Sequence, residues 1–164
     1  MPLIRPATAA DHPVIGSIAR RTWPDTFGSI LSAAQITYML DRMYSPVALA
    51  DQTALGHRFL LLESDGVVVG YVSYEHHYLP RTTKIHKLYL LPTAQGNGYG
   101  RLLIQAVTEC ARSAGLTTLR LDVNYQNPAV DFYEHLGFAK IERVDTSIGN
   151  GYLMEDWVME RVIG

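Results

Sequence analysis

The stretch from residue 84 to residue 115 constrains the fold more than any other part of the chain. An apolar run at residues 85–91 is followed by Pro92 and by the glycine-rich sequence Gln-Gly-Asn-Gly-Tyr-Gly at residues 95–100. After this loop, apolar side chains recur with helical spacing at Leu103, Ala106, Val107, Cys110, Ala111 and Ala114. Gly115 then stands where helices often end in a left-handed residue. The stretch therefore predicts a strand, a tight loop and an amphipathic helix.

A glycine-rich loop that opens a helix is suited to binding phosphate groups. Glycines let backbone N–H groups turn toward a ligand, and the helix N-terminus adds positive partial charge. Such a loop can serve a nucleoside triphosphate, a dinucleotide or coenzyme A. The sequence Gly100-Arg101-Leu102 lacks the Lys-Ser/Thr ending of a P-loop. The glycines are spaced by two and no early βαβ unit surrounds them, which argues against a dinucleotide site.

Two motifs resemble one family. The sequence Gln95-x-x-Gly98-x-Gly100 resembles the pyrophosphate-binding motif of the GNAT superfamily of acetyl-CoA-dependent N-acetyltransferases. A later stretch, residues 127–138, is similar to a second segment of that superfamily, with its asparagine, its aromatic–tyrosine pair and its closing Gly-Phe. The resemblance covers nearly the whole chain. It implies a single domain over residues 1–164, with an α/β fold, a mixed but mostly antiparallel sheet of about seven strands, and helices on both faces.

Composition excludes several other classes of protein. A chain of 164 residues that is 48% hydrophobic and 18% charged is typical of one globular domain. The formal net charge of −2 argues against a nucleic-acid partner. No apolar run reaches the length of a membrane span and no signal-peptide pattern is present, so we expect a cytoplasmic protein without a membrane partner. Cys110, the only cysteine, lies on the apolar helix stripe and is expected in the core.

Local signals place the remaining elements. A capping box at residues 8–11 predicts the first helix, and the sequence Trp-Pro-Asp-Thr-Phe at residues 23–27 is expected to end it. Ser32 and Ser45 are expected to cap two further helices. Asp65-Gly66 predicts a β-hairpin turn. Four later strands are predicted, and the strand before the glycine loop and the strand after its helix form a βαβ unit.

The resemblance implies which residues hold acetyl-CoA as the cosubstrate. The glycine loop would surround the pyrophosphate with backbone amides from Gln95, Gly96, Asn97, Gly98, Tyr99, Gly100 and Arg101. The preceding strand would offer the main chain of Leu88, Tyr89 and Leu90 to the pantetheine arm and the acetyl carbonyl. Asn127 would contact the cofactor, although it also stands where a helix N-cap belongs, and Asn124 or Gln126 could share its role.

Catalysis requires groups that move protons. Tyr133 matches the family tyrosine that protonates the departing thiolate, and a phenol is protonated at neutral pH. Three residues are candidates for the base that accepts the amine proton: Glu75, His86 and Asp122, acting directly or through water. No metal is expected, because His76 and His77 are adjacent strand residues that face opposite sides and have no third ligand at suitable spacing.

The acceptor is expected to be a primary amine. The corner at residues 23–27 and the helix after it resemble GNAT members that acetylate polyamines or diamines. The substrate residues implied are Trp23, Asp25, Phe27, Tyr38 and Tyr74, with Asp25 and nearby rings receiving an ammonium group. Direct transfer in a ternary complex is the preferred mechanism. A protein or peptide amine, or a non-catalytic acyl-CoA sensor, are the alternatives. The resemblance also implies a homodimer formed through late strands, around residues 152–160.

Overall fold

The computed structural model describes residues 2–164, which form a seven-stranded sheet and five α-helices. The strands are β1 (Leu3–Pro6), β2 (Arg58–Ser64), β3 (Val67–Leu79), β4 (Thr82–Leu90), β5 (Thr118–Asn124), β6 (Ala139–Gly149) and β7 (Tyr152–Val162). The helices are α1 (His12–Phe27), α2 (Ala33–Tyr44), α3 (Pro46–Ala54), α4 (Tyr99–Ser113) and α5 (Ala129–His135). The strand order is β1-β2-β3-β4-β5-β7-β6, and only the β4–β5 pair is parallel. This architecture confirms the predicted α/β fold and the βαβ unit around the glycine loop.

Each face of the sheet is covered by its own group of helices. On one face, α4 and α5 bury an apolar cluster that includes Leu103, Val107 and Leu119. On the other face, α1, α2 and α3 bury a second cluster that includes Trp23, Met39 and Tyr71. Because side chains alternate along a strand, each central strand contributes to both clusters. The sheet is therefore buried on both sides at its centre.

The first helix does not end where the sequence predicted. Helix α1 continues through Pro24 to Phe27, so the expected break at residues 23–27 is wrong. The side chains of Trp23 and Phe27, four residues apart, both pack into the core with ring centroids 4.6 Å apart. Burial of two aromatic rings on one helix face outweighs the hydrogen bond that a proline cannot donate. The predicted caps do form, since Ser32 and Ser45 accept hydrogen bonds from Gln35 and Ala48.

The two central parallel strands separate before they end. Strands β4 and β5 are paired from Thr82↔Thr118 to Ile85↔Leu121, and no pairing follows. A bulge places His86 between Ile85, which pairs with Tyr74, and Lys87, which pairs with Ser73. The last residues of β4 and β5 therefore diverge, and an opening forms at the centre of the sheet.

The late strand at residues 152–160, around which a homodimer was predicted, is an interior strand of the sheet. Strand β7 lies between β5 and β6, so its backbone is paired on both sides, and β6 is the edge strand at this end of the sheet. Among residues 2–164, none of the helices has the length and apolar character needed to cross a lipid bilayer.

Candidate active site

A groove runs along the glycine loop and the end of β4. We call it the glycine-loop groove. It encloses about 1720 Å³ including its open mouth. Its walls are the end of β4, the loop and the start of α5, with Thr22, Asp25 and Thr26 of α1 on the far side. It brings together most of the predicted cofactor residues: Leu88, Tyr89, Leu90, Gln95, Gly96, Gly98, Tyr99, Gly100, Arg101 and Asn127.

The loop conformation depends on glycine. Gly96 and Gly98 have φ values of 84° and 77°, in the left-handed region that other residues rarely adopt. Gly98 is also the N-cap of α4, whose first intrahelical bond runs from the Leu102 amide to the Gly98 carbonyl. The amides of Tyr99, Gly100 and Arg101 precede that bond and have no acceptor within the helix. These free donors at a positive helix end suit the pyrophosphate of acetyl-CoA.

Asn97 is the one predicted loop residue that does not line the groove. Its side-chain amide donates a hydrogen bond to the carbonyl of Ala94, at 3.1 Å. Gln95 similarly donates to the carbonyl of Leu90, at 3.3 Å, and keeps the loop against the end of β4. Gly100 lies close to the ring of Phe132, and a Cβ added there would stand 3.1 Å from it. These contacts fix the loop between β4 and α5.

A second, deeper space lies between the diverging strands and the helices α1 and α2. We call it the inner cavity, and it encloses about 780 Å³ including its mouth. Its walls from α1 and α2 are mostly apolar, and include Trp23, Phe27 and Met39. Its polar lining residues come from several elements: Gln35, His86, Lys87, Asp122, Asn124, Asn127, Tyr133 and Asp156.

The groove and the cavity share a wall. Leu88, Tyr89, Asn127 and Ala129 line both spaces. All four are located where β4 and β5 have separated, so the opening in the sheet joins the groove to the cavity. A molecule held in the groove can thus present one end to a second molecule in the cavity.

Tyr133 lies one helical turn after Ala129 of this shared wall. Its side chain is 7% exposed and lines the inner cavity, and its ring packs edge-on against Phe132 and Phe138. Burial raises the pKa of Tyr133 above its usual value. The phenol is therefore fully protonated at neutral pH and is able to donate a proton.

The three predicted bases lie close together, but they are not equivalent. Asp122 lines the inner cavity, and its carboxylate accepts a hydrogen bond from the Lys84 ammonium at 3.0 Å. His86 also lines the cavity, on the bulge of β4. Glu75 is behind His86 and outside the residues that line the cavity, and its Oε1 is 2.9 Å from His86 Nε2.

Sequence reasoning missed His57, which contacts both Glu75 and His86. Its Nε2 is 3.4 Å from the same Glu75 oxygen, and its ring stacks on the His86 ring with centroids 4.0 Å apart and planes 5° apart. Imidazole lone pairs lie in the ring plane, and two parallel planes about 4 Å apart share no point at which both could bind one ion. The cluster of His57, Glu75 and His86 is thus built for hydrogen bonds to a carboxylate rather than for a metal. Burial lowers the pKa of both histidines, so both are neutral near pH 7.

Asn127 has the capping role that its position before Pro128 suggested. Its side-chain oxygen accepts a hydrogen bond from the Ala129 amide at 2.9 Å, at the start of α5. Its neighbour Asn124 caps the turn in the same way, by accepting from the Gln126 amide at 2.9 Å. Asn127 nevertheless lines both spaces, so the cap also places its side chain at the junction. Gln126 is exposed and lines neither space.

The predicted substrate residues are divided among three places. Trp23 and Phe27 line the inner cavity, as expected. Asp25 is exposed and faces the glycine-loop groove, because the continuous α1 turns it away from Trp23 and Phe27. The Tyr38 hydroxyl donates to the Ile148 carbonyl at 2.8 Å, and its ring packs on Tyr152. These contacts hold Tyr38 outside the cavity, so it supports a wall rather than touching a ligand there.

Tyr74 belongs to the opposite face of the sheet. It is 4% exposed and packs in the cluster beneath α4, so the expectation that it contacts an acceptor does not hold. The reason is alternation along β3, which turns Ser73 and Tyr71 toward the other helices. Cys110 is half-buried on α4 beside this cluster and lines neither the groove nor the inner cavity.

Asp156 is an acidic cavity residue that sequence reasoning did not identify. The signal was present, because Asp156 lies in an alternating strand between Met154 and Val158, on a face that should be apolar. A carboxylate at a buried strand position is costly unless it has a function or a partner.

A family model for the GNAT family of acetyltransferases matches residues 17–138. The chain is 31% identical over 151 residues to the aminoglycoside N(6')-acetyltransferase type 1 of Stenotrophomonas maltophilia, covering 87% of this chain and 90% of that protein. It is 27% identical over 158 residues to the spermidine N(1)-acetyltransferase of Thermoplasma acidophilum, covering 93% and 94%. Other relatives are longer: the chain covers only 51% of the uncharacterised N-acetyltransferase CgeE of Bacillus subtilis.

Solved structures agree on the fold. The PaiA N-acetyltransferase of Thermoplasma acidophilum in complex with coenzyme A superposes with a TM-score of 0.83 at 24% identity, covering 99% of both chains. A GCN5-related N-acetyltransferase from Rhodopseudomonas palustris gives a TM-score of 0.85 at 24% identity, covering 99% of this chain and 96% of the other. The expectation of an acyltransferase that uses acetyl-CoA as cosubstrate is confirmed by this set of relatives. The chain belongs to the GNAT family of acetyltransferases.

Proposed function

We propose that this protein transfers the acetyl group of acetyl-CoA directly to the primary amine of a small cationic molecule, such as a polyamine, within a ternary complex. The observation that carries the proposal is the junction of the glycine-loop groove with the inner cavity. The groove has the free amides that a pyrophosphate requires, and the cavity has two carboxylates, Asp122 and Asp156, among aromatic and methionine side chains. A cation with an aliphatic body fits these surroundings.

The groove residues supply binding and orientation. The amides of the loop and of the first turn of α4 would hold the pyrophosphate, and the free end of β4 would pair with the pantetheine arm. Strand β4 offers backbone groups there because its pairing with β5 has already stopped at Ile85. The thioester would then reach the junction at which Leu88, Tyr89 and Asn127 stand.

Tyr133 would act as the general acid. Its buried phenol lines the inner cavity beside the shared wall and is protonated at neutral pH, so it can donate a proton to the thiolate of coenzyme A as the carbon–sulfur bond breaks. A covalent acetyl-enzyme has no support, because Cys110 is beside the opposite face of the sheet. Transfer would therefore pass directly from the thioester to the amine.

The proposal is tested by thiol release from acetyl-CoA with a panel of polyamines, aminoglycosides, amino acids and short peptides. We expect turnover on polyamines or other small amines, with intersecting initial-rate patterns that indicate a ternary complex. Parallel patterns would contradict direct transfer. Turnover confined to peptides would replace the small amine by a protein acceptor. Binding of acetyl-CoA without turnover on any amine would favour a sensor.

A further inference from the structure

Asp156 is a buried carboxylate without a cationic partner. It is 7% exposed, on strand β7. Within residues 2–164, no lysine, arginine or histidine nitrogen lies within 4.0 Å of its carboxylate. The other carboxylates nearby are paired, since Asp122 binds Lys84 and Asp145 lies 3.6 Å from Arg143. A buried, unpaired carboxylate is costly to a fold, so a ligand that supplies the missing cation is a physical reason for keeping it.

The strand register directs Asp156 into the inner cavity. It pairs directly with Asn124 on β5, and Asp122 is its diagonal neighbour on the same face. All three line the inner cavity. The same cavity is lined by Leu88, Tyr89 and Asn127, which also line the glycine-loop groove. The unpaired carboxylate therefore shares the cavity with the junction where the acetyl group would arrive.

The three bases predicted from sequence are less well placed to take a proton. The Asp122 carboxylate is held by the Lys84 ammonium, and its side chain is 34% exposed. Glu75 accepts from His86, lies close to His57, and stands behind the cavity wall. The pKa of His86 is lowered by burial and by neighbouring charges, so this imidazole is a weak base. Asp156 has none of these limitations.

We propose that Asp156 binds the ammonium group of the acceptor and takes the proton that this nitrogen must lose before it can attack. The inference rests on the proposed acetyl transfer to a small amine. The ammonium gives one proton to the Asp156 carboxylate, and the neutral nitrogen attacks the thioester carbon. A carbon–nitrogen bond forms, the carbon–sulfur bond breaks, and the thiolate takes a proton from Tyr133. The second nitrogen proton restores the Tyr133 phenol, and Asp156 releases its proton to solvent through the mouth of the cavity.

The charges around Asp156 set the pH at which it works. Burial raises its pKa to about 6, and the carboxylate of Asp122 adds to the effect. Lys84 from β4 and Arg143 from β6 act in the opposite direction, while Asp145 from β6 raises the pKa slightly. From α1 and α2, the side chains that line the cavity are uncharged. A base with a pKa close to the working pH is the most efficient one, and here kcat/KM is expected to rise as pH passes through about 6.

The same arrangement selects the chemical class of the acceptor. Lys87 also lines the cavity, but its ammonium group contacts Gln52 and the rings of Tyr44 and Phe59, which do not line it. The two carboxylates therefore attract an ammonium group and repel a second carboxylate. An amine without an α-carboxylate is thus preferred over the amino acid that contains it. The pair 1,5-diaminopentane and lysine tests this directly, because the two molecules differ only in that carboxylate. We expect kcat/KM to be at least about tenfold higher for the diamine.

The experiment compares Asp156→Asn with the wild type, with Asp145→Asn as the matched control. Asp145 is an exposed carboxylate on β6 that does not line the cavity. Binding of acetyl-CoA is measured by calorimetry, and kcat/KM for 1,5-diaminopentane and lysine is measured from pH 5.5 to 9. We expect Asp156→Asn to keep its acetyl-CoA affinity, lose about 100-fold in kcat/KM for the diamine, and lose the rise near pH 6. The preference for diamine over lysine should shrink. Asp145→Asn should keep the wild-type kcat/KM and the rise with pH, displaced slightly to lower pH because Asp145 is the smallest of the influences that raise the pKa of Asp156.

Stability provides a readout that a merely structural residue would not give. The pKa of Asp156 is raised in the folded state, so the ionised carboxylate destabilises the fold above about pH 6, and this cost disappears as pH falls below the ordinary value of 3.8. Asp156→Asn is therefore expected to raise Tm at pH 7.5 by a few degrees, while it abolishes most of the activity. A structural residue would lower both.

Wild-type kcat/KM and an intact rise near pH 6 in Asp156→Asn would overturn the proposal. A wild-type protein that turns over no amine would refute the proposed function instead, and binding would then test Asp156 separately. In that case, calorimetry of 1,5-diaminopentane against the coenzyme A complex decides. Binding that Asp156→Asn abolishes supports the ammonium site, while equal binding by the variant, or none by the wild type, overturns it.

Discussion

The glycine-loop groove and the inner cavity meet at one junction, but the chain builds them in different ways. The groove is formed mainly by one contiguous segment, residues 88–101, and it offers backbone amides whose positions depend on two left-handed glycines. The inner cavity takes single side chains from α1, α2, β4, β5, α5 and β7. A backbone site suits a pyrophosphate, because amide donors do not depend on which side chains the loop carries. Acceptors differ, and side chains on several elements can change independently.

The two regions should therefore respond differently to substitution. Changes in the groove should alter the affinity for acetyl-CoA and leave the choice of amine unchanged. Changes in the cavity should alter turnover or the choice of amine and leave acetyl-CoA affinity unchanged. Changes at the junction should lower turnover and leave the binding of acetyl-CoA and of the amine unchanged.

The largest effect is expected at the junction, with Tyr133→Phe. Loss of the phenol proton should lower kcat by about 100-fold, while calorimetry should show an unchanged acetyl-CoA affinity. Tyr44→Phe is the matched control, because Tyr44 is a buried phenol whose hydroxyl has no partner within residues 2–164 and which lines neither space. Equal turnover in the two variants would remove the acid role from Tyr133.

The next effect is expected in the groove, with Gly98→Ala. A side chain at φ 77° strains the backbone by about 1–2 kcal/mol, and relaxation of that strain moves the amides that face the pyrophosphate. We expect the dissociation constant for acetyl-CoA to rise about tenfold, with little change in the preference among amines. Gly115→Ala provides the control, since Gly115 has φ 79° at the other end of α4. Both variants should lose a similar amount of Tm, because both strain the backbone. Only Gly98→Ala should lose affinity for acetyl-CoA, and an equal loss of affinity in Gly115→Ala would contradict the role given to the loop.

The smallest effect is expected for Asp25→Asn. The residue is exposed and faces the groove, whereas the sequence suggested that it receives the ammonium group. We expect its KM for 1,5-diaminopentane to remain within about twofold of the wild type, because isolated exposed charges contribute little. A much larger increase in KM would indicate that the ammonium group binds at Asp25 on α1, and would contradict the role given to Asp156.

The sequence predicted the groove well because its signals are local. The glycine spacing, the helical stripe that follows it and the apolar run before it are all contained in about thirty consecutive residues. The local sequence was therefore enough to predict a glycine-dependent loop and the start of the helix. Caps at Ser32 and Ser45 were recognisable for the same reason.

The inner cavity was predicted less well because it depends on tertiary contacts. Pro24 suggested a helix end, and only the packing of Trp23 and Phe27 against the core keeps α1 continuous and turns Asp25 away. Likewise, Asp156 belongs to the cavity because β7 inserts between β5 and β6 and pairs with Asn124, a register that local patterns do not specify. In the same way, only the fold brings His57, which directly precedes β2, to Glu75 and His86.

The central claim is that the acceptor nitrogen binds at Asp156, opposite Asn124, where β4 and β5 have separated. A crystal structure with coenzyme A and 1,5-diaminopentane tests it most directly. We expect coenzyme A in the glycine-loop groove, its sulfur at the junction beside Tyr133, and one amine nitrogen within hydrogen-bonding distance of the Asp156 carboxylate. A diamine bound at Asp25, or beside Tyr74 on the opposite face of the sheet, would contradict the account.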